Sequence, residues 1–149
     1  MLYILMEIKE LASSLRAAIS ALHKGLRKQT NLANAFSMTE IETIAHLNRN
    51  RQLLPTALAK LTRVKTQSMS QILKKLENLG IIKRTASKED KRNVYISITA
   101  AGKKEVEKNR YERDEWLKNA IESNLNEKEK TLLEKVLPVL NKLTSNNKF

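Results

Sequence analysis

The sequence predicts a mainly α-helical chain interrupted by one small β-hairpin. Three observations carry that prediction. Gly and Pro number only three and two in 149 residues, which leaves long stretches without helix breakers. Apolar residues recur at steps of three and four over most of the chain, and that period drops to two or less in one region only, after Gly80.

From Leu5, the positions Ile8, Leu11, Leu15, Ile19, Leu22 and Leu26 form one stripe of a long first helix. Gln29 to Ala35 reads as polar and broken. Two overlapping capping boxes follow, Ser37-x-x-Glu40 and Thr39-x-x-Glu42. Either can open a second helix that carries Ile41, Ile44, Ala45 and Leu47 and runs to about Asn48. After a polar loop, Pro55 suits the first turn of a short helix bearing Leu54, Leu58 and Leu61. Thr62 to Lys65 is too short for anything but a tight turn. The next periodic run is Met69, Ile72, Leu73 and Leu76, with Thr66 as its candidate N-cap and Gly80 just past its end.

Ile81 and Ile82 then lead into a short strand, Thr85 to Asn93 reads as a charged loop, and Val94, Ile96 and Ile98 alternate with Tyr95, Ser97 and Thr99. A long helix from Ala100 carries Val106, Trp116, Leu117, Ala120 and Ile121. A last helix from about Asn126 carries Leu132 to Leu143, with Pro138 expected to kink or shorten it. Two short helices around a tight turn, followed by a hairpin, make a winged helix-turn-helix over residues 37–99. The helices of 1–36 and 100–149 carry stripes that one small domain cannot cover, so they are expected to form a dimerisation region.

The net charge is +12, from 28 Lys and Arg against 16 Asp and Glu, and it attracts polyanions. Residues 60–92 hold ten basic and three acidic side chains, seven of those twelve positive charges. No Cys is present, which removes disulfides, thiolate metal sites and cysteine-based redox sensing. The opening apolar run meets Glu7, Lys9 and Glu10 too early for a signal peptide, and no stretch approaches the roughly 18 apolar residues of a membrane span. A cytoplasmic protein without membrane attachment is expected. His23 and His46 lie on different helices, with no phosphate loop, nucleophile elbow or metal-ligand spacing, so neither an enzyme nor a metal or cofactor site is expected.

On the 66–78 helix, Thr66, Gln67, Ser68, Ser70 and Gln71 offer short polar groups to base edges or phosphates, with Lys74 and Lys75 behind them. Thr66 and Ser68 could instead serve only as caps. In the turn and hairpin, Arg63, Lys65, Arg84, Lys88, Lys91 and Arg92 are the candidate phosphate or groove contacts, with Asp90 placed to hold the Arg92 side chain. Trp116 fits either a dimer core or an effector pocket. Double-stranded DNA is the expected partner. The charge and the wing would equally serve a sequence-independent nucleoid or RNA-binding protein, against which the polar recognition helix and the few exposed aromatics count.

The segments LAKLTRVKTQSMSQILKKLENLGIIKR (58–84) and EDKRNVYISITAAG (89–102) resemble the helix-turn-helix and wing of the MarR family of bacterial regulators. The more specific half is Asp90-x-Arg92 followed by Thr99 and Gly102. The resemblance runs from the second helix into the fifth. It implies a homodimer interlocked through its first and last helices, Arg92 as a wing arginine in the minor groove, and a repressor or activator tuned by a small-molecule effector. Two departures stand out: Arg63 occupies a turn where many such proteins carry Gly, and Ala86, Ser87 and Lys88 replace the prolines usual before the acidic residue. Without Cys, the thiol-based peroxide-sensing branch does not apply.

Overall fold

The computed structural model describes residues 7–145, so the helix start expected at Leu5 lies outside the described residues. Its elements run α1 (Ile8–Lys28), α2 (Asn31–Ala35), α3 (Met38–Arg49), α4 (Pro55–Leu61), α5 (Thr66–Asn78), β1 (Ile82–Ala86), β2 (Val94–Ile98), α6 (Ala100–Asn124) and α7 (Glu127–Ser145). The chain divides within α6, at Arg113 and Asp114, into two compact units.

In the first unit most helix ends around the helix-turn-helix are set by local contacts. Of the two capping boxes, the one at Ser37 forms. Its Oγ accepts from the Glu40 N–H at 3.2 Å, and Glu40 Oε2 accepts from the Ser37 N–H at 2.8 Å. Pro55 opens α4, where a missing N–H costs nothing. The turn closes with Val64 N–H donating to the Ala59 carbonyl at 3.0 Å, and it places Arg63 in the left-handed region at φ 55.

Thr66 is not the N-cap of α5. Lys65 holds that position with no capping bond from its side chain, and Thr66 is the first helical residue. At the other end Gly80, at φ 72, turns the chain out of the helix. Its N–H reaches the Glu77 carbonyl at 2.9 Å and the Ile81 N–H reaches Leu76 at 3.0 Å, a Schellman motif with Leu76 and Ile81 both in the core.

That core gathers Ile44 and Leu47 of α3, Leu58 and Ala59 of α4, Met69, Leu73 and Leu76 of α5, and Ile81, Ile82, Ile96 and Ile98 of the hairpin. β1 and β2 pair antiparallel from Ile82 opposite Ile98 to Ala86 opposite Val94, so the strand extends two residues into what reads as loop. Leu53 adds a one-residue third strand, exchanging both backbone hydrogen bonds with Ile96 at 2.9 and 2.8 Å. Residues Asn31–Ala35, expected as irregular chain, form a five-residue helix.

One joint ties the hairpin to α6. The Thr99 hydroxyl donates to the Gly80 carbonyl and accepts from the Gly102 N–H at 3.0 Å, capping α6 while fastening it to the end of α5. Only a glycine fits at 102, because a Cβ there would run into the Ile81 carbonyl oxygen and crowd Ile98 Cγ1 at 2.8 Å.

In the second unit, Asn126 and Glu129 form a reciprocal capping box at 2.9 and 3.0 Å that starts α7. Pro138 does not shorten that helix, which continues to Ser145. Neither α1 nor α7 has a single buried residue.

Replacing Gly102 with Ala sets a helix-propensity gain of about 1 kcal/mol against a backbone clash. Overpacking of this kind costs about 1 to 3 kcal/mol, and here the obstructing neighbour is a carbonyl that cannot rotate away. A net loss in stability is expected in urea titrations followed by circular dichroism.

Candidate nucleic-acid interface

The rotation of α5 is set by its buried stripe. At about 100° per residue, Gln67, Gln71 and Lys74 fall opposite Met69, Leu73 and Leu76, while Thr66, Ser68 and Lys75 fall on the flanks. Thr66, Gln67, Ser68, Ser70, Gln71 and Lys74 are all exposed. Neither Thr66 nor Ser68 caps the helix, so their hydroxyls face solvent.

Two of the basic residues expected at the interface form ion pairs within the chain. Lys75 Nζ lies 3.0 and 2.8 Å from the two carboxylate oxygens of Glu40 and 5.4 Å from the centre of the Phe36 ring. Arg84 Nε lies 2.9 Å from Glu77 Oε2. Thus α5 is braced on one flank to α3 and on the other to β1. Among the described residues Arg63, Lys65, Lys74, Lys88, Lys91 and Arg92 are exposed and form no ion pair.

The wing tip is built by two short side chains. Ser87 Oγ accepts from the N–H groups of Glu89 and Asp90 at 3.2 and 3.3 Å, giving the tip a turn where prolines would otherwise stiffen it. Asp90 does not hold the Arg92 side chain as expected. Its Oδ1 accepts from the Arg92 backbone N–H at 3.0 Å, so it shapes the turn and leaves the guanidinium free.

Sequence reasoning missed Arg51. It lines a cleft of about 580 Å³ on the wing with Gln52, Thr85, Ser87, Lys88, Glu89 and Tyr95, and so places a further cation beside the hairpin. Its only sequence signal is a cation in the loop before a helix-turn-helix. Among the described residues no cluster of His, Cys, Asp or Glu could hold a metal ion, and no helix is long and apolar enough to cross a membrane.

Residues 36–93 match the sequence profile described as MarR family. An uncharacterized HTH-type transcriptional regulator of Mycobacterium bovis is 30% identical over 83% of this chain and 85% of its own length. The chain belongs to the MarR family. Membership makes it a DNA-binding transcription regulator rather than an enzyme. Solved structures agree on the winged helix-turn-helix fold. A transcriptional regulator protein from Pseudomonas aeruginosa superposes with a TM-score of 0.77 at 26% identity, covering 92% of this chain and 96% of that one. MepR from S. aureus, bound to an oligodeoxyribonucleotide, superposes with a TM-score of 0.71 at 21% identity, covering 91% and 98%.

The Glu40 brace within this MarR-family chain carries a pH signature. Burial pushes the Glu40 pKa up, but the Lys75 ammonium and the Ser37 N–H outweigh it, and the value falls below the ordinary 4.5. A lowered carboxylate pKa contributes stability that is complete above the unfolded value and is lost as pH falls through the folded one. Because Lys75 is half exposed, the contribution is at most about 1 kcal/mol. The stability gap between wild type and Glu40→Gln should therefore be present at neutral pH and close as the pH falls below 4.5, measured by urea titration at each pH.

Proposed function

We propose that this chain is a homodimeric repressor that reads a pseudo-palindromic operator. In this reading α5 enters the major groove and each hairpin reaches the flanking minor groove, with recognition helices about 34 Å apart. Gln67 and Gln71 read bases, with Thr66, Ser68 and Ser70 in support. Arg63, Lys65, Lys74, Lys88 and Lys91 grip phosphates, and Arg92 enters the minor groove from a tip shaped by Asp90. The observation that carries this reading is the row of exposed, unpartnered polar and basic groups on the outer face of α5 and on the wing.

Dimerisation is supported by α1 and α7, each of which leaves most of its large apolar residues exposed, Ile8 at 85% and Leu132 at 62% among them. The structural neighbour MepR, seen in complex with an oligodeoxyribonucleotide, supports DNA as the partner. A small-molecule effector that releases the operator completes the reading. Its support is that Asn109 Oδ1 and Arg113 Nε of α6 are buried without a hydrogen-bond partner. A protein whose ligand is the chromosome is cytoplasmic on the same reading.

Selection from a random duplex pool at about 150 mM salt tests the proposal. A pseudo-palindrome with half-sites about one helical turn apart is the expected result. Tight, salt-sensitive binding to every duplex would replace it with a sequence-independent nucleoid role. On the selected duplex, Arg92→Ala should weaken binding, while Gln67→Ala or Gln71→Ala should relax base discrimination by about 1 to 3 kcal/mol for each bidentate amide–adenine pair removed. Leu22→Asp, which takes one apolar side chain from each of two symmetric copies, should weaken the dimer by about 3 to 6 kcal/mol in sedimentation equilibrium.

A further inference from the structure

We propose that Lys75 is the positioning residue of the recognition helix, setting the angle of α5 on α3 through Glu40 and Phe36 rather than contacting DNA. The inference rests on the reading of α5 as the recognition helix.

The geometry favours the brace over a phosphate contact in three ways. Lys75 reaches both oxygens of a carboxylate that is itself only 8% exposed. A buried carboxylate needs its partner, and a phosphate that drew the ammonium away would leave Glu40 uncompensated and facing a second anion. The ammonium also lies over the ring of Phe36, in the segment that leads into α3, which adds a second attraction on the same flank. Finally, Glu40 is the closing residue of the capping box that starts α3. One carboxylate therefore fixes where α3 begins and where α5 lies against it, so a shift in the segment leading to Ser37 is felt directly by the recognition helix.

The core stripe sets the rotation of α5 about its own axis but resists tilting weakly, because side chains on one face can slide along their neighbours. A charge pair on the flank opposes tilt. Arg84 with Glu77 does the same on the opposite flank, through the wing. Lys74, one residue away and without an ion pair, is the lysine left for phosphate.

The test compares binding of Lys75→Met, Glu40→Gln and their double variant to the duplex enriched by selection, across a series of salt concentrations. Met keeps the apolar stem of Lys75, and Gln keeps the acceptor that the capping box requires. Each single variant should lose about tenfold in affinity, the worth of one base contact misplaced. The double variant should lose no more than either single, and the salt slope should stay at the wild-type value.

A fall in slope of about 0.9 for Lys75→Met would make Lys75 a phosphate contact and overturn the proposal. Tighter binding by Glu40→Gln, the result of simply removing a negative charge near DNA, would overturn it too, as would unchanged affinity in both variants. Lys74→Met and Gln71→Ala serve as controls. If they bind normally, the recognition-helix reading itself fails and this proposal with it. If they weaken binding while the Lys75 and Glu40 variants do not, only the brace is wrong. Thermal melts by circular dichroism establish that each variant is folded.

Discussion

What this protein can do with DNA depends on how one helix of thirteen residues is turned and held. Burying Met69, Leu73 and Leu76 against α3, α4 and the hairpin leaves no freedom about which side of α5 faces outward. The residues opposite that stripe are two amides and a lysine, with hydroxyls on the flanks, rather than a continuous row of charge. The face is thus suited to reading base edges, and the proposed function draws phosphate affinity mostly from the turn and the wing. On the proposed reading, binding strength and discrimination therefore reside on different elements.

The elements around α5 exist to hold it. Gly80 ends the helix with the Leu76 and Glu77 carbonyls satisfied and sends the chain directly into the hairpin. An isolated hairpin of five-residue strands is marginal in water, and this one is stabilised by sharing the core, by Leu53 at its edge and by the Thr99 hydroxyl at its base. The same hydroxyl caps α6, so the start of that long helix is anchored at the end of the recognition helix. Thr99 and the close approach at Gly102 thus leave the start of α6 in direct contact with the Gly80–Ile81 segment.

Most of this was legible in the sequence because it is local. The Ser37 capping box, Pro55, Gly80 and the period change at the hairpin each act through residues within a few positions of one another. Asn126-x-x-Glu129 is a capping box of the same kind and could have been read. What was illegible depends on distant partners. Lys75 finds Glu40 35 residues away, which no helical pattern indicates. Arg84 meets Glu77 only because the chain reverses at Gly80. Asp90 and Arg92 were rightly placed together, but whether a carboxylate takes a side chain or a backbone N–H is decided by the turn. Pro138 shows that a helix of nineteen residues can continue past one missing hydrogen bond.

Two copies of α5 reading two equivalent half-sites would leave a symmetric imprint on the selected duplex, and hydroxyl-radical footprinting reads that imprint most directly. Two symmetric protected tracts centred about 10 bp apart are predicted, with further protection in the flanking minor grooves. A single asymmetric tract, or uniform protection along the duplex without a centre of symmetry, would contradict the two-copy reading.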